Sequence, residues 1–296
     1  MADPADLVQM ADSLSFQFRA MGSPCEVRIE TTNPTLALAM GDIVKAEALR
    51  IEARVSRYRD DSVISMINRS GGQPLRPDRE TAALLDYAAN CFALSQGLFD
   101  VTSGVLRRVW TFDGSDNVPS KAAVRALLPR VGWAKVSWDG ETLVLPEGME
   151  VDFGGIGKEY AVDCAIFKLA EYQGTSALVN FGGDLRVTAP RRDGNGWRVA
   201  IESVDVSGAA DGLIELRSGA LTTSGDSRRF LLRGGKRYSH ILDPRTGWPV
   251  RDPPRAVTVA AATCLEAGLL STLAMLQGKR AETFLKREGL KAWWVR

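Results

Sequence analysis

The sequence predicts an α+β protein with one large domain. Amphipathic helical spacing dominates the first third of the chain, and short apolar strand-like runs crowd the second half. Nowhere do the two alternate strictly, as they would in a doubly wound sheet. The 296 residues are 45% hydrophobic and 25% charged, enough to bury a large core in water.

The elements follow in order. From Phe16 to Glu30 the second half alternates polar Glu26, Arg28 and Glu30 with Val27 and Ile29, which predicts a half-buried strand. Residues 35–57 place Leu38, Ile43, Ala46, Leu49 and Val55 near helical spacing. Ser62 is a candidate cap for a short helix carrying Ile64 and Ile67. A second strong helix is expected over 78–95 and is broken by Gly97. The Gly/Ser/Asp/Asn stretch from Asp113 to Pro119 reads as a loop and a candidate seam between two lobes. Strands are expected at 143–146, 177–181, 197–202, 213–217, 229–233 and 256–261, and helices at 157–173, 264–276 and 279–287. The domain is expected to span 16–296, with residues 1–15 an unstructured lead.

Composition excludes several classes. A formal net charge of +1 offers no bulk attraction to nucleic acid or an anionic membrane. No apolar run is long enough to span a bilayer. The N-terminal stretch carries Asp3, Asp6 and Asp12 without an apolar core, so no signal peptide or lipid anchor is read there, and a cytoplasmic protein is expected. Cys25, Cys91, Cys164 and Cys264 are widely separated and the chain has one histidine, which argues for buried free thiols rather than a zinc site.

That histidine, His240, is the only side chain here whose ordinary pKa suits proton transfer near neutrality. An Asp-Pro-Arg-Thr-Gly turn follows it at Asp243–Gly247, and a structural histidine bonded to that turn is the competing reading. Asp152-Phe153-Gly154-Gly155-Ile156-Gly157-Lys158 reads as a strand end, a glycine loop and a helix start, which suits either an anion or close packing. It matches neither the P-loop nor the dinucleotide pattern. Asn180–Asp184 and Thr222–Asp226 read as two further small turns. Ser224 lacks the nucleophile-elbow context that a Ser-His-Asp hydrolase needs.

Seven segments in order resemble the FAD:protein FMN transferase family, the ApbE-type flavin transferases. They are Phe18–Ser23, Ser56–Asn68, Ser95–Thr102, Asp152–Tyr160, Asn180–Asp184, Thr223–Asp226 and His240–Gly247. The resemblance implies the ApbE-like fold and transfer of the FMN half of FAD onto a threonine or serine hydroxyl of a target flavoprotein, releasing AMP. It implies that Met21, Tyr58, Leu98, Phe99 and Asp100 hold FAD, that Asp152 and Lys158 face the ligand, that Leu242 packs beside the flavin, and that His240 is the base. Lysine is well suited to a phosphate.

The resemblance also implies magnesium, held by the Gly155 carbonyl, by Thr272 and by an aspartate one helical turn before it. Position 268, where that aspartate belongs, is glycine, and Glu266 lies about 200° round the helix from it. A carbonyl and a hydroxyl alone make a poor magnesium site. Two alternatives therefore stay open: an FAD-binding maturation protein with little transfer, or an FAD pyrophosphate hydrolase.

Overall fold

A computed structural model describes residues 6–204, 210–227 and 229–296. The chain opens with β1 (Leu7–Gln9), β2 (Leu14–Ala20) and β3 (Ser23–Ile29). β2 and β3 form a hairpin whose two-residue turn is Met21-Gly22. Both turn residues have positive φ (52° and 69°), the twist that two-residue hairpins require. β1 pairs with β2, so the expected unstructured lead is in part a strand; residues 1–5 lie outside the described residues.

Next come α1 (Pro34–Val55), α2 (Val63–Asn68) and α3 (Arg79–Leu94). Asn33, Ser62 and Asp78 cap them, each accepting from main-chain N–H groups of the first turn. A 3-10 helix at Val101–Arg108 was not anticipated from the sequence, nor was α4 (Lys121–Leu127). Two short strands, β4 (Ser137–Trp138) and β5 (Leu143–Val144), lead into the glycine loop and α5 (Gly157–Leu169). The loop before α4 is tied to the later strands: the Gly114 N–H donates to Phe230 O at 2.9 Å, and Leu232 N–H to Ser115 O at 2.9 Å.

The second half contains β6 (Ala177–Phe181), β7 (Asp184–Val187), β8 (Trp197–Glu202), β9 (Ala210–Leu216) and β10 (Ala220–Gly225). β11 (Phe230–Arg233), β12 (Lys236–Ser239), β13 (Leu242–Asp243), β14 (Trp248–Pro249) and β15 (Ala256–Ala261) follow. The chain ends with α6 (Cys264–Leu276), α7 (Ala281–Arg287) and β16 (Lys291–Val295). Thr222–Gly225, expected as a turn, is strand: β10 lies inside the main sheet, paired with β7 and β15. Its β-branched threonines suit a pleated surface, and neighbouring hydroxyls pair with Thr223 and Ser224, while the buried Thr222 hydroxyl has no partner.

Among the described residues the main sheet has eight strands in the order β1-β2-β3-β6-β7-β10-β15-β16, every neighbouring pair antiparallel. One core cluster, with Phe16, Val27, Met40, Ile51, Val162 and Phe181, lies between this sheet and the helices α1 and α5. A second gathers Ile64, Leu85, Phe99, Phe153 and Ile156 beneath α2 and α3. A third is aromatic, with Trp110, Tyr238 and Trp248 around the arm made by β11–β14. The four cysteines are free, and no helix of the described residues is long and apolar enough to cross a membrane.

Candidate active site

Hairpin register brings the glycine-containing turns of the sequence to one end of the main sheet. The β2–β3 turn and the β6–β7 turn (Gly182-Gly183) lie side by side: a Cβ on Gly182 would come within 2.8 Å of Ser23 Cβ. The start of α5 joins them, since a Cβ on Gly157 would meet Met21 Cε at 3.8 Å and Val55 Cγ2 at 3.2 Å. The end of α1, the half-buried Met21, the glycine loop and the Gly182-Gly183 turn therefore share one surface.

Charged groups sit on that surface in defined pairs. Lys158, in the first turn of α5, pairs with buried Asp184 at the start of β7. Burial works to lower the pKa of the lysine, but the Asp184 and Glu159 carboxylates together outweigh it and hold the ammonium charged. Arg57, just past α1, pairs with Asp152, whose Oδ1 also accepts from the Gly154 N–H at 2.9 Å and so folds the glycine loop back on itself. Tyr58 is 79% exposed, held by a 2.7 Å bond from Arg57 and by stacking of the guanidinium on its ring at 4.9 Å. Apart from the side that Arg57 covers, the ring is exposed.

Phe99 packs against the glycine loop, its ring 3.4 Å from where a Cβ on Gly155 would be, and Leu98 is half-buried beside it. Asp100 differs from the resemblance-derived expectation of a carboxylate turned to FAD. Its Oδ1 accepts from Thr102 N (2.8 Å) and Oγ1 (2.6 Å), and its Oδ2 from Trp133 N (3.0 Å), so both oxygens close a buried loop. Its first task is to shape the Phe99 loop.

His240 follows β12, on the arm. Its Nδ1 lies 3.1 Å from the carbonyl oxygen of Arg229, and its N–H donates to the same oxygen at 3.3 Å. A carbonyl oxygen can only accept, so Nδ1 carries the ring hydrogen and Nε2 keeps a lone pair for a proton. Burial lowers the imidazole pKa, which keeps the neutral form at pH 7. Phe112 stacks on Trp110 (5.4 Å) and meets the imidazole edge-on at 6.3 Å, orienting it. The Asp243 turn bonds Arg245 instead of the histidine, and Leu242 packs into the aromatic cluster. Ser224 pairs with Ser271 (2.9 Å) and Thr272 (3.1 Å), so the serine hydroxyl is committed to α6 and not to His240.

Glu159, on α5, is the residue that sequence reasoning missed. It is buried, its Oε2 has no hydrogen-bond partner, and burial, with Asp184 adding to it, pushes its carboxyl up to about 8. Among the described residues no group of three or more His, Cys, Asp or Glu could hold a metal ion. The magnesium of the resemblance thus has to be judged against this one orphaned carboxylate, the Thr272 hydroxyl and main-chain oxygens. That donor set is sufficient only for a cation that also binds substrate phosphates and water, as magnesium commonly does.

The α+β frame that carries these residues is shared with solved flavin transferases. The chain matches a Thermotoga maritima ApbE protein at TM-score 0.86 and 28% identity, covering 95% of this chain and 94% of that one. It matches the apo form of the Pseudomonas stutzeri flavinyl transferase ApbE at TM-score 0.82 and 31% identity, covering 96% and 91%. A Vibrio cholerae relative, an FAD:protein FMN transferase, is 33% identical over 237 residues, 77% of this chain and 70% of its own length. The ApbE family model matches residues 21–294, and the chain belongs to the ApbE family.

Proposed function

We propose that this chain is an FAD:protein FMN transferase that moves the FMN half of FAD onto a threonine or serine hydroxyl of a target flavoprotein. Its relatives in Vibrio cholerae and Escherichia coli carry that name, the latter 30% identical over 256 residues. The observation that supports the chemistry is the 3.1 Å approach of His240 Nδ1 to the Arg229 carbonyl, which assigns the ring hydrogen to Nδ1 and leaves Nε2 to accept a proton.

The step is a displacement at phosphorus. The acceptor oxygen attacks the FMN phosphorus, the bond from that phosphorus to the bridging oxygen breaks, and AMP leaves with the electron pair. His240 Nε2 takes the hydroxyl proton, so that an alkoxide need not form alone. Catalysis of such a transfer is mostly positioning and charge neutralisation. Lys158, drawn from Asp184 toward the phosphates, and the amides at the start of α5 supply positive potential. Tyr58, Met21 and Leu98 offer apolar surface for the flavin and adenine rings, with buried Phe99 backing the glycine loop and Leu242 at the flavin edge. Asp152 acts by holding Arg57 and the glycine loop in place. Magnesium, held by Thr272 and the Gly155 carbonyl, would neutralise pyrophosphate charge.

Purified protein should quench FAD fluorescence and, given a peptide bearing an acceptor threonine, release AMP. No quenching would refute the FAD site. FMN appearing free in solution, with the peptide unmodified, would identify a pyrophosphate hydrolase instead.

A further inference from the structure

Helices α5 and α6 pack side by side, and Glu159 reaches across from the first to the second. A Cβ built on Gly268 would lie 2.6 Å from Glu159 Cγ and 2.8 Å from its Oε1, both shorter than any ordinary contact. The side chain of Glu159 therefore takes up the space that a residue at 268 would use. It is 7% exposed, and its Oε2 has no partner. A buried polar atom left unpaired is rare and costly.

Its neighbours cannot relieve it. The Lys158 ammonium is engaged by Asp184. Asp163, also on α5, is held by Arg186 at 2.7 Å and by the N–H groups of Cys264 and Leu265 at 3.0 Å each. Asp184 and Asp163 are each bonded by a cation, whereas Lys158 acts on Glu159 only through its charge and leaves Oε2 without a bond. Thr272 lies one helical turn beyond Gly268 and so on the same face of α6, its hydroxyl already turned inward to Ser224.

We propose that Glu159 supplies the anionic oxygen for a divalent cation bound between α5 and α6, in the place of a carboxylate at position 268. The proposal rests on the cleft being the FAD pyrophosphate site. With one carboxylate and neutral oxygens as its protein ligands, the cation needs substrate phosphates to complete its shell. Metal and FAD then strengthen each other's binding reciprocally. Gly268 is not a lesion: the glycine is what leaves room for Glu159.

The test is Mn²⁺ titration of the whole protein, read by the electron paramagnetic resonance of free Mn²⁺, with and without FAD. Wild type should bind Mn²⁺ more tightly with FAD present. Glu159→Gln, nearly isosteric, should weaken Mn²⁺ by about 10-fold or more while FAD affinity without metal is kept. Gly268→Asp alone should also weaken it, because the two side chains collide. The exchange Glu159→Gly with Gly268→Asp should restore it, and Mn²⁺ should raise the Tm of wild type and of the exchange but not of Glu159→Gln. Unchanged Mn²⁺ affinity in Glu159→Gln, or no recovery in the exchange, overturns the proposal. A protein that binds no FAD refutes the cleft reading separately, since the titration without nucleotide still compares wild type with Glu159→Gln.

Discussion

The Nδ1 of His240 lies 3.1 Å from the main-chain oxygen of Arg229, the residue facing it one step beyond the last pair of the β11–β12 ladder, Phe230 and Ser239. Strand pairing, not a carboxylate, sets the tautomer of the only imidazole in the chain. Replacing His240 by Ala should lower the transfer rate by about 10²- to 10⁴-fold and leave FAD affinity within about twofold. Steady-state AMP release and fluorescence titration measure the two separately. Transfer at the wild-type rate would make the histidine structural.

The same imidazole sets a pH dependence. Burial holds its folded pKa below the usual 6.5, so the neutral, proton-accepting form persists as pH falls through neutrality. The rate should stay level from pH 7.5 down to about 6.5 and decline only below that. A kcat profile that declines already between pH 8 and 7 would mean that another group is the base.

Lys158 and Asp184 should show a stability role together with a binding role. Lys158→Met leaves Asp184 and Glu159 as buried carboxylates with no cation beside them. Breaking a buried pair costs roughly 3–5 kcal/mol, toward the lower end here because Lys158 is partly exposed. Calorimetry should show a lower Tm, and FAD titration a weaker affinity. An unchanged Tm would show that the pair is not desolvated as described.

Asp100 is expected to act through the fold. Asp100→Ala removes the acceptor for three donors around Thr102 and Trp133 and should cost about 1–3 kcal/mol. Loss of FAD affinity should follow the unfolding of the loop with temperature, and should largely recover when the variant is assayed well below its Tm. A variant with native stability and no FAD binding would instead make Asp100 a direct ligand.

Much of this fold was legible from periodicity. The strands at 177–181, 197–202 and 256–261 and the helix at 264–276 lie where their apolar spacing predicts. β10 was not legible, because Thr222-Thr223-Ser224-Gly225 is polar and small, and only its neighbours in the sheet and α6 make it a strand. Glu159 was hidden for a related reason. A glutamate in the first turn of a helix reads as a favourable surface charge, and its burial against Gly268 comes from the packing of α5 on α6. The His240 turn and the glycine loop were legible as segments, but their partners, the Arg229 carbonyl and Asp184, are set by hairpin register.

The most direct test of the central claim is mass spectrometry of an acceptor flavoprotein co-expressed with this chain. One FMN should be found esterified through its phosphate to a single threonine or serine, with wild type and not with His240→Ala. In the purified reaction, AMP should appear in equal amount to the modified acceptor. An unmodified acceptor in the presence of bound FAD, or AMP matched by free FMN, would contradict it.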